Sequence, residues 1–225
     1  MSEERYYLNN SDPDDVHDVF IKVEQSFGIR FTTEDMNDVN TLGDFYNVVH
    51  KKIALEHQDS CTTQQAFYKL RNCIINSTDI KRQNITPQTN LKDVFPENER
   101  LWLVSIIEKE LNLKLKILEP KQSVSLAVFI GVIASLITFF FSWQYALSGL
   151  VIFSAVGFFA RKFGKELKVK TLGQLAEKIS REHYLKCRRN ISTLNHKEID
   201  KKIQELFQHE LDLDVAILTP QASFN

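Results

Sequence analysis

A long uncharged stretch near the middle of the chain constrains the fold more than any other feature. Residues 122–160 contain no Asp, Glu, Lys or Arg. Folded as one helix, these 39 residues would extend roughly 58 Å, about twice the ~30 Å hydrocarbon core of a bilayer. One span is therefore excluded by length, whereas two helices joined by a tight turn fit. We predict a transmembrane hairpin over residues 121–165.

The expected turn of this hairpin lies at residues 142–145, where the sequence has its polar break. Trp143 and Tyr145 lie in this segment, and both aromatic types prefer the interface between membrane and water. The predicted helices cover about residues 124–141 and 146–161. Both are short, so they require a thin bilayer, little tilt, or a tip that barely emerges.

Basic residues flank the uncharged stretch at both ends, namely Lys121, Arg161, Lys162 and Lys165. The positive-inside rule then places both soluble portions and both termini in the cytoplasm. The alternative is a hairpin buried in a soluble core, but a chain of 225 residues is too small to cover two wholly apolar helices. Channels and transporters usually carry an ionisable residue within the membrane. The hairpin has none, which favours an anchor, and Gly131 and Ser135 would allow its helices to approach closely.

Charge and cysteine content narrow the function classes. With 28 basic and 29 acidic residues the formal net charge is −1, so the composition gives no sign of a nucleic-acid partner. Only seven glycines leave little loop material, which favours an all-α fold. Cys61, Cys73 and Cys187 have no C-x-x-C spacing and are expected to be reduced thiols in a cytosolic setting. The polar, acidic N-terminus predicts no signal peptide.

Two pairs of similar passages indicate an internal repeat. Residues 40–53 and 170–183 share the tripeptide Thr-Leu-Gly. A Thr before a short apolar run is a favourable helix N-cap, so Thr41 and Thr171 are each predicted to begin a helix. The second pair, whose apolar residues follow helical spacing, is Leu101–Pro120 with Lys201–Pro220.

Residues 19–50 combine an amphipathic helix pattern, a Phe-Gly-Ile exit, a short acidic segment with Glu34 and Asp35, and Thr-Leu-Gly-Asp before a last helix. In this order the features resemble the latter half of acyl carrier proteins. A second match begins at Gln65, where QAFYKLRNCI resembles the family's first helix and Leu101–Leu115 its second. The matching last helix comes only at Thr171, beyond the uncharged stretch.

The resemblance implies two small carrier-like helical bundles plus a two-helix transmembrane hairpin inserted into one of them. Residues 197–225 resemble a carrier's first helix and its Thr-Pro-x-x-Ser-Phe loop. The two ends of the chain are therefore expected to form one circularly permuted bundle, which closely placed termini make tolerable. The alternative is two unrelated helical bundles. The predicted boundaries are residues 1–58 with 190–225, residues 59–120 with 166–189, and the hairpin at 121–165.

Both carrier-like bundles lack the serine on which acyl carriage depends. A working carrier holds phosphopantetheine on a serine at the start of its second helix, where backbone N–H groups and the helix dipole favour the phosphate. The equivalent position holds Pro13 in one copy and falls near Glu97 in the other. Ser11 lies two residues from the first position and would serve only with an insertion. We therefore expect no phosphopantetheine and no enzymatic activity.

In carrier proteins the acidic second helix is the surface that partner enzymes bind. The equivalent acidic cluster here consists of Asp12, Asp14, Asp15 and Asp18. It is the candidate docking surface, and the alternative is an ordinary solvated first turn stabilised by the helix dipole. Anionic lipid headgroups are expected to meet Lys162, Lys165 and the basic stretch at residues 186–189.

The remaining candidate sites are weaker. His57 and Cys61 lie four residues apart, but no neighbouring residue completes a zinc set, so exposed or capping roles are expected for them. His209-Glu210 lacks the second histidine of a zincin helix. The sequence contains no Gly-rich phosphate loop, nucleophile elbow or paired-carboxylate signature. No metal site is predicted.

These features predict a membrane-anchored, non-enzymatic interaction or scaffold protein. It would be held at the lipid bilayer to recruit a protein partner, such as an enzyme of acyl-lipid or natural-product synthesis. One alternative is a functional acyl carrier modified at Ser11 or another serine. Another is a small membrane-acting effector or immunity-type protein whose hairpin itself acts on the membrane.

Overall fold

The computed structural model describes Leu8 and residues 11–224, and this part of the chain is mostly helical, which confirms the all-α class. The prediction about a signal peptide concerns residues that lie largely outside the described part. The α-helices are α1 Pro13–Phe27, α2 Thr33–Met36, α3 Leu42–Lys52, α4 Thr62–Ser77, α5 Leu91–Val94, α6 Arg100–Leu111, α7 Gln122–Thr138, α8 Trp143–Lys162, α9 Leu172–Glu182, α10 Tyr184–Cys187 and α11 His196–Glu210. The strands are β1 Glu56–His57, β2 Leu118–Glu119, β3 Glu166–Leu167 and β4 Thr193–Leu194.

The chain divides into two compact units. The first unit comprises Met1–Leu70 and Leu175–Asn225, and the second comprises Arg71–Gln174. The first unit thus combines segments from both ends of the chain, and it contains the parallel pair β1–β4. The second unit is continuous in sequence and contains both apolar helices, α7 and α8, and the antiparallel pair β2–β3.

The two Thr-Leu-Gly passages begin helices through similar hydrogen bonds, as predicted. Before α3, the Asp44 backbone N–H donates to the Thr41 hydroxyl at 3.1 Å, and the Thr41 N–H donates to the Asp44 carboxylate at 2.9 Å. Before α9, the Gln174 N–H donates to the Thr171 hydroxyl at 3.3 Å, and the Thr171 N–H donates to the Gln174 side-chain oxygen at 3.4 Å. Each arrangement satisfies backbone donors that a helix start leaves unpaired.

A Thr-Pro-Gln loop binds each of these helix starts. The loop is residues 219–221 in the first unit and residues 86–88 in the second. The bonds in the first unit are Gly43 N–H to Pro220 O at 2.8 Å, Leu42 N–H to Ala222 O at 2.9 Å and Phe224 N–H to Asn40 O at 2.9 Å. The bonds in the second unit are Gly173 N–H to Pro87 O at 2.7 Å, Leu172 N–H to Thr89 O at 3.0 Å and Leu91 N–H to Lys170 O at 2.8 Å.

The order of loop and helix along the chain differs between the units. In the first unit α3 comes near the N-terminus and its loop near the C-terminus, whereas in the second unit the loop precedes α9. The three matched bonds are therefore made with opposite chain order.

Helices α1 and α6 also end in the same way. The residue after each helix has a left-handed backbone, Gly28 with φ 63° and Asn112 with φ 51°, as is common at helix C-termini. A glutamate in each last turn accepts a hydrogen bond from the backbone N–H seven residues later. The pairs are Glu24 with Phe31 and Glu108 with Leu115.

An aromatic core holds the first unit together. The ring of Phe45 in α3 is completely buried and packs on Phe20 of α1, with 4.7 Å between centroids. Phe207 of α11 and Phe224 contact both of these rings. Burial of one such side chain contributes about 1.5–3 kcal/mol. Because the rings come from both ends of the chain, this burial stabilises the contact between the two ends.

Within the second unit, α7 and α8 form an antiparallel helical hairpin. Its turn covers residues 139–142, about three residues earlier than predicted, so the expected helix bounds were wrong by up to three residues. Ser142 has an extended backbone (φ −160°, ψ 118°) and is the N-cap of α8. Trp143 and Tyr145 consequently lie in the first helical turn, not in the connection.

Strands β2 and β3 join the two ends of the hairpin. They pair antiparallel, and the Lys168 N–H extends the pairing by donating to Ile117 O at 2.9 Å. Gly164 packs so closely that a Cβ there would lie 2.4 Å from the carbonyl carbon of Glu119. The start of α7 and the end of α8 are therefore held side by side.

Substitution of Gly43 or Gly173 by Ala tests the matched loop contacts. A Cβ at either position would lie 2.9 Å from the carbonyl oxygen of Pro220 or Pro87, respectively, so each variant forces backbone apart. We expect each to destabilise its unit by about 1–3 kcal/mol, measured by thermal unfolding in detergent. The control Asn47→Ala, at an exposed position of α3, should change stability little. Equal stability of the glycine and control variants would contradict the close contact.

Replacement of Asp44 by Gln gives α3 the side chain that α9 has at the matching position. The Thr41 hydroxyl is the main cause that lowers the pKa of Asp44 in the folded protein. A carboxylate with a lowered folded pKa stabilises above its unfolded pKa of about 3.9, and this stabilisation is lost as the pH falls towards the folded value. We therefore expect Asp44→Gln to lose less stability than wild type between about pH 5 and 3, measured by urea unfolding. An equal loss of stability in wild type and Asp44→Gln over this pH range would show that protonation of Asp44 does not weaken the cap.

Candidate functional site

Most of the large apolar side chains that are exposed among the described residues lie in the hairpin. At its turn the side chains of Phe140 and Phe141 are 88% and 87% exposed, and Val151 in the middle of α8 is 68% exposed. Soluble proteins rarely expose contiguous apolar patches of this kind, which instead indicate contact with a membrane or another protein. The surface is found on both α7 and α8.

Small residues allow the two hairpin helices to approach closely. A Cβ at Gly131 would lie 2.2 Å from the ring of Phe153, and a Cβ at Gly149 would lie 2.2 Å from the hydroxyl of Ser135. The Ser135 hydroxyl is satisfied because it donates to Gly131 O at 2.8 Å. Gly131 and Ser135 are buried, which confirms the expected packing role of these two residues.

Helix length supports one membrane span among the described residues. Helix α8 has 20 residues, about 30 Å, and is long and apolar enough to cross a bilayer. Helix α7 is apolar but has 17 residues, about 25 Å. Only one of the two predicted spans therefore reaches the full hydrocarbon thickness.

The structure places the predicted flanking residues at the two ends of the hairpin. Lys121, Arg161, Lys162 and Lys165 lie at the base, where α7 begins and α8 ends. Trp143 and Tyr145 lie at the opposite end and are 61% and 76% exposed. Charge and interfacial aromatics are thus separated by the length of the hairpin.

The predicted docking cluster lies on the first turns of α1, and all four carboxylates are exposed. Asp12 is the N-cap, and its side chain accepts a hydrogen bond from the Asp14 backbone N–H at 3.0 Å. Asp15 belongs to the same first turn, and Asp18 follows three residues later. The structure therefore brings these four charges together on one helix start.

No serine stands at the start of either matching helix. Pro13 is the first residue of α1, and Glu97 lies in the turn that precedes α6. Ser11 precedes the N-cap Asp12, is half-buried, and its backbone N–H donates to Leu8 O at 2.9 Å. The residue that would carry phosphopantetheine in a carrier is therefore absent from the expected position of each helix.

The structure buries two of the four residues of the basic stretch at 186–189, for which the sequence predicts contact with lipid headgroups. Arg188 is 1% exposed, and its guanidinium donates to the carbonyl oxygens of Gln58, Ser60 and Thr193 at 2.9 to 3.2 Å. Cys187 is also buried, and burial raises the pKa of its thiol to about 12. The prediction is wrong for Cys187 and Arg188, whose side chains lie in the core of the first unit. It stays a prediction for the exposed Lys186 and Arg189.

Sequence reasoning also missed a buried polar network in the first unit. Glu198 accepts hydrogen bonds from the Thr62 hydroxyl at 2.7 Å and the Tyr184 hydroxyl at 3.1 Å. Burial is the main cause that raises the pKa of Tyr184. Lys202 is 4% exposed and donates to Glu205 at 2.7 Å. These groups hold α4, α10 and α11 together, and the satisfied donors and acceptors give them a structural role.

The cysteines and histidines form no metal site within the described residues. Cys61 is exposed, and no disulfide joins it to Cys73 or Cys187. His57 accepts a hydrogen bond on Nδ1 from the His196 backbone N–H at 3.2 Å, a capping contact. Burial is the main cause that lowers the pKa of His209.

Comparison with protein-family models, with curated proteins and with solved structures found no match to this chain.

Proposed function

We propose that this chain is a membrane-anchored, non-enzymatic interaction module in which two related helical bundles are held at a bilayer by a two-helix hairpin. The observation that carries the proposal is the exposed apolar surface of α7 and α8. Such a surface needs an apolar environment. A lipid bilayer supplies it on every side of the hairpin.

Both helices cross the bilayer in the proposed arrangement. Helix α7 is about 25 Å long, and local thinning of the bilayer accommodates a short span at a modest cost per ångström. The residues of the turn, Phe139 to Phe141, are apolar and extend the apolar length beyond α7. Because β2 and β3 hold the hairpin ends together, both soluble portions lie on one side, and the basic base makes that side cytoplasmic.

Two carrier-like bundles, one of them circularly permuted, account for the soluble portions. The support is the pair of Thr-Pro-Gln loops that bind Thr-Leu-Gly helix starts through three equivalent hydrogen bonds each. The matching helix ends after Glu24 and Glu108 extend this similarity. In the proposed layout residues 1–58 with 190–225 form the permuted bundle, and residues 59–120 with 166–189 form the other. The compact units differ from this layout at residues 59–70 and 175–189, which belong to the first unit.

Recruitment of a protein partner, without acyl carriage, is the proposed task of these bundles. A carrier's chemistry needs a hydroxyl at the start of the second helix, where this chain has Pro13. The acidic cluster of Asp12, Asp14, Asp15 and Asp18 keeps the charge by which such a helix is recognised. Complementary charges steer association and fix its register. The proposed partner is thus a protein with a basic surface, such as an enzyme of acyl-lipid or natural-product synthesis.

Charge reversal on α1 tests this function. The full-length protein, wild type or Asp14→Lys/Asp15→Lys, is used for affinity capture from detergent-solubilised host membranes. We expect the double variant to reduce recovery of the partner about tenfold, which corresponds to a loss of about 1.4 kcal/mol in binding. Recovery is quantified by mass spectrometry.

A matched double reversal in the other unit is the control. Asp79 and Asp93 are exposed, so Asp79→Lys/Asp93→Lys changes the total charge equally and should leave recovery unchanged. All three proteins should stay in the membrane pellet after an alkaline carbonate wash. Equal recovery with all three proteins would refute docking at α1, and release of the wild type by carbonate would refute the anchor.

A further inference from the structure

A polar cleft lies at the base of the hairpin, entirely within the second unit. Its volume is about 1060 Å³, and it opens beside the β2–β3 pair. The charged side chains that line it come from the segment before α7, the last turn of α8 and the segment after α8. They are Lys116, Glu119, Lys121, Arg161, Glu166 and Lys168.

An apolar groove adjoins this cleft. The groove has a volume of about 520 Å³ and runs between α7 and α8 along Val128, Phe129 and Phe158. Three residues line both cavities, namely Pro120, Ser125 and Arg161. A ligand with a polar end and an apolar chain can therefore occupy both cavities at once.

Positive charge dominates the polar cleft. Four basic side chains line it against two carboxylates. One carboxylate is already neutralised, because Lys168 pairs with Glu119 at 2.8 Å. Lys121 pairs with Glu97 at 3.9 Å, whereas no ion pair among the described residues joins Lys116 or Arg161 to a carboxylate. The hydroxyl of Ser125 lies where the cleft meets the groove.

From this geometry we propose that the hairpin base binds one anionic phospholipid. The phosphate group occupies the cleft against Arg161 and Lys116, and one acyl chain lies in the groove between α7 and α8. Guanidinium groups bind phosphate through directed, charge-assisted hydrogen bonds. An acidic peptide would satisfy the cleft but leave the apolar groove empty, so a lipid fits the two cavities better.

The inference rests on the proposed membrane anchor, because that anchor brings the hairpin base to the headgroup level of the bilayer. It goes further by assigning a specific lipid class to a defined site. General attraction of basic residues to an anionic surface would be shared by Lys162, which flanks the hairpin but does not line either cavity.

Native mass spectrometry of the full-length protein in detergent tests the site. The probes are dioleoylphosphatidylglycerol, dioleoylphosphatidylcholine and glycerol 3-phosphate, each added in turn. We expect one retained phosphatidylglycerol and weaker retention of phosphatidylcholine. Arg161→Gln should weaken phosphatidylglycerol binding about fivefold, the factor that about 1 kcal/mol per basic residue gives, whereas Lys162→Gln should leave it unchanged.

A second variant tests the groove independently of charge. Ser154 lines the groove and is exposed, so Ser154→Leu adds bulk where the acyl chain would lie and should weaken lipid retention. Glycerol 3-phosphate, which has no chain, should not be retained. Equal retention of both lipids, or equal loss with Arg161→Gln and Lys162→Gln, would overturn the lipid site. If the protein nevertheless resists carbonate extraction, the anchor stands without the site.

Discussion

The unfavourable hydration of the hairpin is the constraint on which the rest of the proposed organisation depends. Each large apolar side chain left in water forgoes about 1.5–3 kcal/mol, and the exposed residues extend over both α7 and α8. The small residues Gly131 and Gly149 bring the helices together but leave their outer faces uncovered. The base of the hairpin is fastened by β2–β3 and by Arg100, which is buried and donates to Phe95 O at 2.8 Å and to Lys165 O. In the proposed function, a lipid environment and this fixed base together let the hairpin anchor the second unit.

In both units a Thr-Pro-Gln loop binds the start of a helix, and this contact forms whether the loop comes before or after the helix in the chain. The Thr-Pro-Gln loops bind their helix starts through backbone N–H and carbonyl groups. Gly43 and Gly173 have no Cβ, which leaves room for this close approach. Because these bonds require proximity and not direct connection, the same contact forms when a loop comes from the far end of the chain. The shared aromatic core around Phe45 then fixes both ends in the first unit. The order of loop and helix along the chain differs between the units, whereas the three backbone hydrogen bonds are equivalent.

Local patterns in the sequence predicted the helical class, the caps at Thr41 and Thr171, and the uncharged hairpin, because each depends on neighbouring residues. The position of the turn was missed, since Trp143 is compatible with either a turn or a first helical turn. Burial of Arg188 and Arg100 was also missed. A guanidinium has the same sequence signal whether water or carbonyl oxygens solvate it, so only tertiary structure separates the two cases. The exposed acidic cluster on α1 was predictable because Pro and Asp favour the first turn of a helix.

Whether the hairpin turn crosses the bilayer is the most direct test of the anchor. Cys61 is exposed whereas Cys73 and Cys187 are buried, so a membrane-impermeant maleimide should label the native protein at Cys61 alone. The double variant Cys61→Ser/Ser142→Cys moves that reactive thiol to the turn. In sealed vesicles with the extracytoplasmic face outward, a crossing hairpin predicts labelling at the turn, and labelling of Cys61 only after permeabilisation. Labelling of both positions from the same side would contradict a two-pass anchor.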